Sequence, residues 1–396
     1  MSTPVRPSSR FSELSKYINS LTNLLGVDIL APKMEFNYRT WTTIFAIANY
    51  TAFTVFTILN GGDWRVGLKA SLMIGGLIHG LGKFLTCLLK HKEMRRTVLY
   101  TQGIYEEYEN RGESYHKTLN LNIDRLLGIM KIVRNGYVFA FCLMEIQPLA
   151  MLMYDGTRVT AMQYVIPGLP LEKNYGYVVT YLIQSVTMVV TGVGFYAGDL
   201  FVFLGLTQIL TFADMLQLKV NDLNDALKQK AETRVLVPVG ASVKGEANRQ
   251  RLLLEVIKWH QLFTEYCRAI NALYYELIAT QVLSMALAMM LSFCINLSSF
   301  HMPSAIFFVV SAYSMSIYCI LGTILEFGYD QVYEGICNVA WYELSGDQRK
   351  LFSFLLRESQ YPHNIQILGV MPLSVRTALQ IVKLIYSVSM MMMNRA

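Results

Sequence analysis

An all-α polytopic membrane protein, with seven transmembrane helices and a cytoplasmic N-terminus, is the fold this sequence predicts. Three observations carry it. Of 396 residues, 53% are hydrophobic and only 16% charged, against about a quarter charged in soluble domains. Uncharged runs reach the length of a crossing: 23 residues over 40–62, 25 over 174–198, and 49 over 277–325, the last broken by "SSFHMPS". Roughly 20 residues cross a bilayer, so the longest run holds two spans and a turn. Finally, Lys and Arg alternate in density between successive loops. The segment to residue 39 carries five, residues 90–134 nine and residues 219–268 nine, whereas the intervening loops carry two, two and none. Positive charge stays cytoplasmic, so the N-terminus lies inside and the seventh span ends outside.

The elements follow in order. The opening "MSTPVRPSSRFSELSKY" lacks a basic segment followed by an apolar core, so the first span is expected to direct insertion. Residues 11–30 set Phe11, Leu14, Ile18, Leu21 and Leu25 at helical spacing, an amphipathic helix at the inner interface or tucked into the bundle. Spans are expected at 40–62, 67–90, 134–154, 175–205, 270–297, 303–326 and 371–393. The second contains His79 and Lys83 and the third Glu145; at similar depth, His79 and Glu145 either pair, the favoured expectation because a lone ionisable group there is costly, or offer a pocket one hydrogen-bonding partner. Between spans three and four, "VIPGLPLEKNYG" is a Pro- and Gly-bearing outer loop placed to cover a cavity. Span four runs on as "FADMLQLKVNDLNDALKQK" and span five is preceded by "NRQRLLLEVIKWHQLFTEYC". Half-apolar helices outside the membrane need a partner to pack on. Residues 206–269 and 327–362 are therefore expected to form a cytoplasmic helical anchor.

In the last span Arg376, Gln380, Lys383, Ser387, Met390 and Asn394 are spaced by 4, 3, 4, 3 and 4, one helical face. Leu379, Val382, Tyr386 and Met393 make the other face apolar. Charge at bilayer depth costs a few kcal/mol unless it meets water or a partner. The stripe is a pore lining, a helix–helix seam, or a set of side chains snorkelling to the interface.

The composition excludes several functions. The net charge of +6 follows from the loop bias and calls for no nucleic acid. The six cysteines form no C-x-x-C and no outer-loop pair, so neither a disulfide nor a metal site is expected. Only His79 among six histidines lies deep in a span, too few for a membrane zinc hydrolase, and no other catalytic set or cofactor motif appears. No repeated halves suggest a transporter. A G-protein-coupled receptor would put the N-terminus outside and would show Asp-Arg-Tyr and Asn-Pro-x-x-Tyr, both absent.

From span six onward the residues become specific. Tyr318-Cys319 with Gly322, Tyr333, Trp341-Tyr342, Arg349 with Leu351, Ser359-Gln360, and Gly369 before Pro372-Leu373-Ser374 resemble the C-terminal third of insect odorant receptors. "VIKWHQLFTEYCRAIN" around His260 is similar to the family's approach to span five. The Thr-Tyr…Gln-Phe ending of the related gustatory receptors is absent. The cytoplasmic loop is shorter than in the family's co-receptor, so the resemblance is to a tuning subunit. It implies an odorant-gated cation channel in the plasma membrane of olfactory sensory neuron dendrites, a tetramer with the co-receptor, with the last helix lining the pore. It also implies an odorant pocket in the outer halves of spans two, three, four and six. Candidate pocket residues there are Met73, Gly76 and His79; Phe141 and Glu145; Tyr177, Tyr181, Ser185 and Met188; and Phe307, Phe308, Ser311 and Tyr313. An apolar, aromatic cavity suits a small volatile ligand.

Overall fold

The computed structural model describes residues 6–62, 64–233, 240–361 and 365–393. Among these the chain forms ten α-helices, one 3-10 turn and a two-stranded hairpin. Helix α1 (Pro7–Leu24) starts on a proline, whose missing N–H costs nothing at a helix N-terminus, and buries Phe11, Leu14 and Ile18. It ends earlier than the expected residue 30. Gly26 turns the chain at φ +84°, and a Cβ there would sit 2.2 Å from the Thr40 nitrogen, a place only glycine fills. Asn37 and Thr40 then form the capping box that opens α2 (Tyr38–Asn60).

The outer turn leads into α3 (Trp64–Leu89), followed by α4 (His91–Tyr108) and α5 (Glu113–Asp155). Helices α6 (Asn174–Thr233) and α7 (Gly240–Ser298) are 60 and 59 residues long. At 1.5 Å per residue each is about 90 Å, some three times the hydrocarbon thickness. Both therefore stand well into the cytoplasm. Helix α8 (Met302–Cys337), the 3-10 turn Trp341–Glu343 and α9 (Gly346–Ser359) follow. Strands β1 (Gln366–Ile367) and β2 (Met371–Pro372) lead to α10 (Val375–Met393).

Among the described residues, α2, α3, α5, α6, α7 and α8 are each long and apolar enough to cross a membrane. Helix α10, interrupted by Arg376 and Lys383, is the seventh span. It starts at Val375, not 371, because Met371 and Pro372 pair with Ile367 and Gln366. The hairpin turns at Leu368 (φ 54°) and Gly369 (φ 69°). It lies hard against α8: a Cβ on Gly322 would fall 1.8 Å from the Leu373 carbonyl oxygen.

The cytoplasmic halves of α6 and α7 are locked by side chains donating to the opposite backbone. Trp259 Nε1 donates to the Phe212 carbonyl at 2.9 Å, Tyr266 to Gly205 at 3.1 Å and Tyr274 to Phe201 at 3.0 Å. Lys219, buried among them, lies 4.7 Å from the Tyr108 ring and 5.3 Å from the Trp259 ring. Helices α1 and α4 and the inner part of α5 join this cluster, through Phe11 stacked on Tyr105 at 4.8 Å and Tyr115 bonded to Asp222 at 2.7 Å. The anchor is thus wider than residues 206–269 and 327–362. In α4, Met94, Val98, Thr101, Ile104, Tyr105 and Tyr108 bury one stripe, hidden in the sequence by the charges between them.

Candidate functional site

Small residues on α3 leave the space that defines the site. Gly76 and Gly80 face a cavity of about 220 Å³ bounded by α2, α3, α5, α6 and α8. Met73, Met144, Phe141, Met188 and Phe307 are among its lining. Its roof is the loop after α5. Ala161, Met162 and Tyr164 are buried in the bundle, held by Gln184 of α6, which accepts from the Met162 nitrogen and donates to the Tyr164 carbonyl, both at 3.0 Å. Val165 N donates to Thr57 of α2 at 2.8 Å, and Tyr164 packs edge-on against Tyr50. The cavity descends past the expected outer halves to Leu25 and Val27, beside α1.

A second chamber of about 90 Å³ adjoins it. The two share Gly76, Tyr137, Ala140, Phe195, Phe307 and Val310 as lining. At the junction lies a buried ion pair. Lys83 Nζ sits 2.5 Å from Asp199, each side chain 3% exposed, and donates to the Phe195 carbonyl at 3.1 Å. Asp199 also accepts from Tyr137 at 2.5 Å and from Tyr318. One carboxylate thereby ties α3, α5, α6 and α8 together, with its charge fully compensated, the condition under which a buried ion survives.

The thirteen candidate pocket residues fall into two sets. Met73, Gly76, His79, Phe141, Met188, Phe307, Ser311 and Tyr313 line one chamber or both. Glu145, Tyr177, Tyr181, Ser185 and Phe308 line neither. Tyr181 donates to the Glu145 carbonyl at 3.0 Å and Ser185 to its carboxylate at 2.7 Å, while Tyr177 donates to the Val159 carbonyl at 3.1 Å. These three face α5 and the loop. Phe308 turns toward Phe293. The expected His79–Glu145 pair does not form. Counting 1.5 Å per residue from the outer helix ends, His79 lies about 22 Å down and Glu145 about 15 Å. His79 instead stacks on Phe195 at 4.3 Å.

Asp199, Phe195 and Tyr137 escaped the sequence reading. A signal for Asp199 existed: Lys83 inside a span demands a counter-charge, and Asp199 falls inside the expected span of residues 175–205.

Helix α10 packs on α7 and α8 through Thr377, Ile385 and Ser389, all buried. Arg376, Gln380, Lys383 and Ser387 are exposed and Met390 partly so. The stripe is therefore no seam within this chain. Asn394 lies outside the described residues.

Comparison with known proteins adds an independent line. The model of the family described as "7tm Odorant receptor" matches residues 66–386. A Drosophila melanogaster protein named "Putative odorant receptor 83c" is 87% identical over the full length of both chains. Two solved structures share the fold: the insect olfactory receptor OR5 from Machilis hrabei in complex with eugenol, TM-score 0.75, and the same receptor with no eugenol named, TM-score 0.73. Each is 12% identical and covers 98% of this chain and 100% of its own.

Proposed function

The chain belongs to the seven-transmembrane odorant receptor family, and from that premise we propose that it is the odorant-binding subunit of a heteromeric ligand-gated cation channel. A small volatile compound opens the channel by occupying the 220 Å³ cavity among α3, α5, α6 and α8. The cavity is the observation that carries this reading. Its wall is mostly apolar, with methionine, phenylalanine and glycine prominent beside leucine, valine, isoleucine and alanine, and the Met162–Tyr164 segment roofs it. A volatile offers little but apolar surface. Burying about 200 Å² at about 25 cal/mol per Å² yields about 5 kcal/mol, a sub-millimolar Kd, the range in which a reversible sensor works. The structural neighbour in complex with eugenol supports the reading, because the same fold there accommodates a small organic molecule.

The exposed face of α10 supports the pore assignment. Arg376, Gln380, Lys383 and Ser387 meet no partner side chain that hides them from solvent, and a water-filled pore between subunits supplies what they need. Four copies of this helix would place rings of Arg and Lys in one pore and repel cations. A cation channel therefore takes its remaining lining from another subunit, the odorant receptor co-receptor, in a tetramer set in the plasma membrane of olfactory sensory neuron dendrites.

Whole-cell current tests this directly, with the chain expressed alone and then with the co-receptor against a panel of small volatiles. The reading expects a cation current only from the pair, with permeability altered by Lys383→Glu. A response abolished by blocking G proteins, or a cation-selective current from this chain alone, overturns it.

A further inference from the structure

His79 is a polar group of the inner chamber with both ring nitrogens left without a bond. Its side chain is 3% exposed, and neither ring nitrogen has a hydrogen-bond partner among the described residues. Neighbouring polar groups are engaged. Tyr137 and Tyr318 donate to Asp199, Tyr313 donates to the Ile132 carbonyl at 3.0 Å, and Ser314 accepts from Gln281 at 3.2 Å. A neutral imidazole offers one donor and one acceptor, and buried groups of this kind are nearly always satisfied. The ring is held flat against Phe195, 20° from parallel, and Phe195 lines both chambers. The 90 Å³ chamber exceeds the ~10–15 Å³ that one water molecule needs. It has room for a hydroxyl or carbonyl group.

Resting on the reading of this cavity as the odorant site, we propose that His79 is a specificity-determining residue that recognises one hydrogen-bonding oxygen on an otherwise apolar ligand. The oxygen enters the inner chamber past Phe195 while the apolar body fills the outer cavity. Ser311, 4% exposed on the same chamber wall, stands where it limits the size of the oxygen-bearing group. The preferred ligands are then alcohols, aldehydes and ketones rather than hydrocarbons of the same shape.

The test uses the complete channel with its co-receptor. Probes are a homologous series of straight-chain alcohols and 2-ketones, each set against the hydrocarbon in which methyl or methylene replaces the oxygen group. Wild type should respond to the oxygenated member at a concentration lower by on the order of 5- to 100-fold, the worth of one buried hydrogen bond left unmade. His79→Phe keeps the stack on Phe195 and should bring that ratio close to one while responses to hydrocarbons persist. His79→Gln, which keeps a donor and an acceptor, should retain part of the ratio. A purely structural histidine would shift both members of each pair alike. An unchanged ratio in His79→Phe overturns the proposal, and so does a wild type silent to the whole oxygenated series. Absence of both variants from the cell surface would assign the imidazole to folding and also overturn it. Failure of the underlying site reading shows differently: Gly76→Leu would leave responses to both members of each pair intact.

Discussion

The two ends of this protein are packed to opposite purposes. Below the membrane, Phe11, Tyr105, Phe212, Trp259, Tyr266 and Ile336 belong to one continuous buried cluster, with aromatic side chains bonded to backbone across helices. Toward the outer side a smaller cluster of Leu72, Met73, Met162, Tyr164, Met188 and Ile295 encloses empty volume and is completed by a loop. Protein interiors normally fill to crystal-like density. This fold leaves a largely apolar cavity, which the proposed function assigns to the ligand, with the filled end as the part that holds it open. Between the two ends sits the Lys83–Asp199 pair, the point at which four spans are fixed relative to one another.

The largest expected effect comes from breaking that point. Asp199→Leu leaves Lys83 charged and unpaired in the membrane, at a cost of about 3–5 kcal/mol, and surface labelling should show little mature protein. Adding Lys83→Met removes the stranded charge and should recover part of the surface signal; a double variant as poor as the single would contradict the pairing argument.

Matched truncations sharpen the contrast between the ends. Trp259→Ala removes a filled-core side chain, costs about 3–5 kcal/mol, and should reduce assembled channel measured by co-purification. Met188→Ala widens a cavity that is already open. It should cost less, keep surface levels, and move the preferred ligand to one bulkier by about two carbons, read from a homologous series. If both variants behave alike, the two ends do not differ in the way the packing indicates.

Smaller effects belong to the outer loops. Gln184→Leu removes both clamps on the roof and leaves the Met162 nitrogen and Tyr164 carbonyl unpaired, a loss of about 1–3 kcal/mol of local closure. The current should decay faster on washout, and unaltered decay would remove the roof from the mechanism. The smallest is a pH effect. His301 precedes α8 and its ring accepts from the Ser304 nitrogen at 3.4 Å. Burial, with Lys69 nearby, pushes the imidazole down to about 4. Because the folded ring resists protonation, its stabilisation is complete above about pH 6.5 and drains as pH falls toward 4. Thermal stability of the purified channel should be flat from pH 8 to 7 and decline below pH 6, and His301→Asn, a neutral cap, should lessen that decline.

Much of the architecture was legible because membrane insertion demands uncharged length, and length survives in one dimension. The prolines and glycines of the outer loop made its irregular course legible, but the loop residue that lines the cavity, Met162, precedes them. Helix rotation was not. Residues 174–198 carry no charge, so nothing in the sequence fixes which stripe of α6 faces the cavity. Tyr177, Tyr181 and Ser185 fall on the face toward α5 and its loop, while Gln184, Met188 and Phe195 turn inward. On α3 the named Met73, Gly76 and His79 all reach a chamber wall, although glycines alone set no phase there: Gly75 and Gly82 face α7 while Gly76 and Gly80 face the cavity. The Lys83–Asp199 pair joins segments over a hundred residues apart, a relation that spacing along one helix does not encode. Phe308 shows the same limit, since its neighbour Phe307 lines both chambers.

The central claim is that a volatile ligand opens the channel from this cavity, and filling the cavity tests it most directly. A Cβ on Gly76 meets nothing closer than the Tyr50 hydroxyl at 3.7 Å, so Gly76→Leu projects into open volume without moving backbone. Expressed with the co-receptor and matched for surface level, this variant should lose the ligand-evoked cation current or shift its concentration dependence by at least tenfold, with basal current retained. Wild-type sensitivity to the same volatiles would place ligand binding elsewhere in the protein.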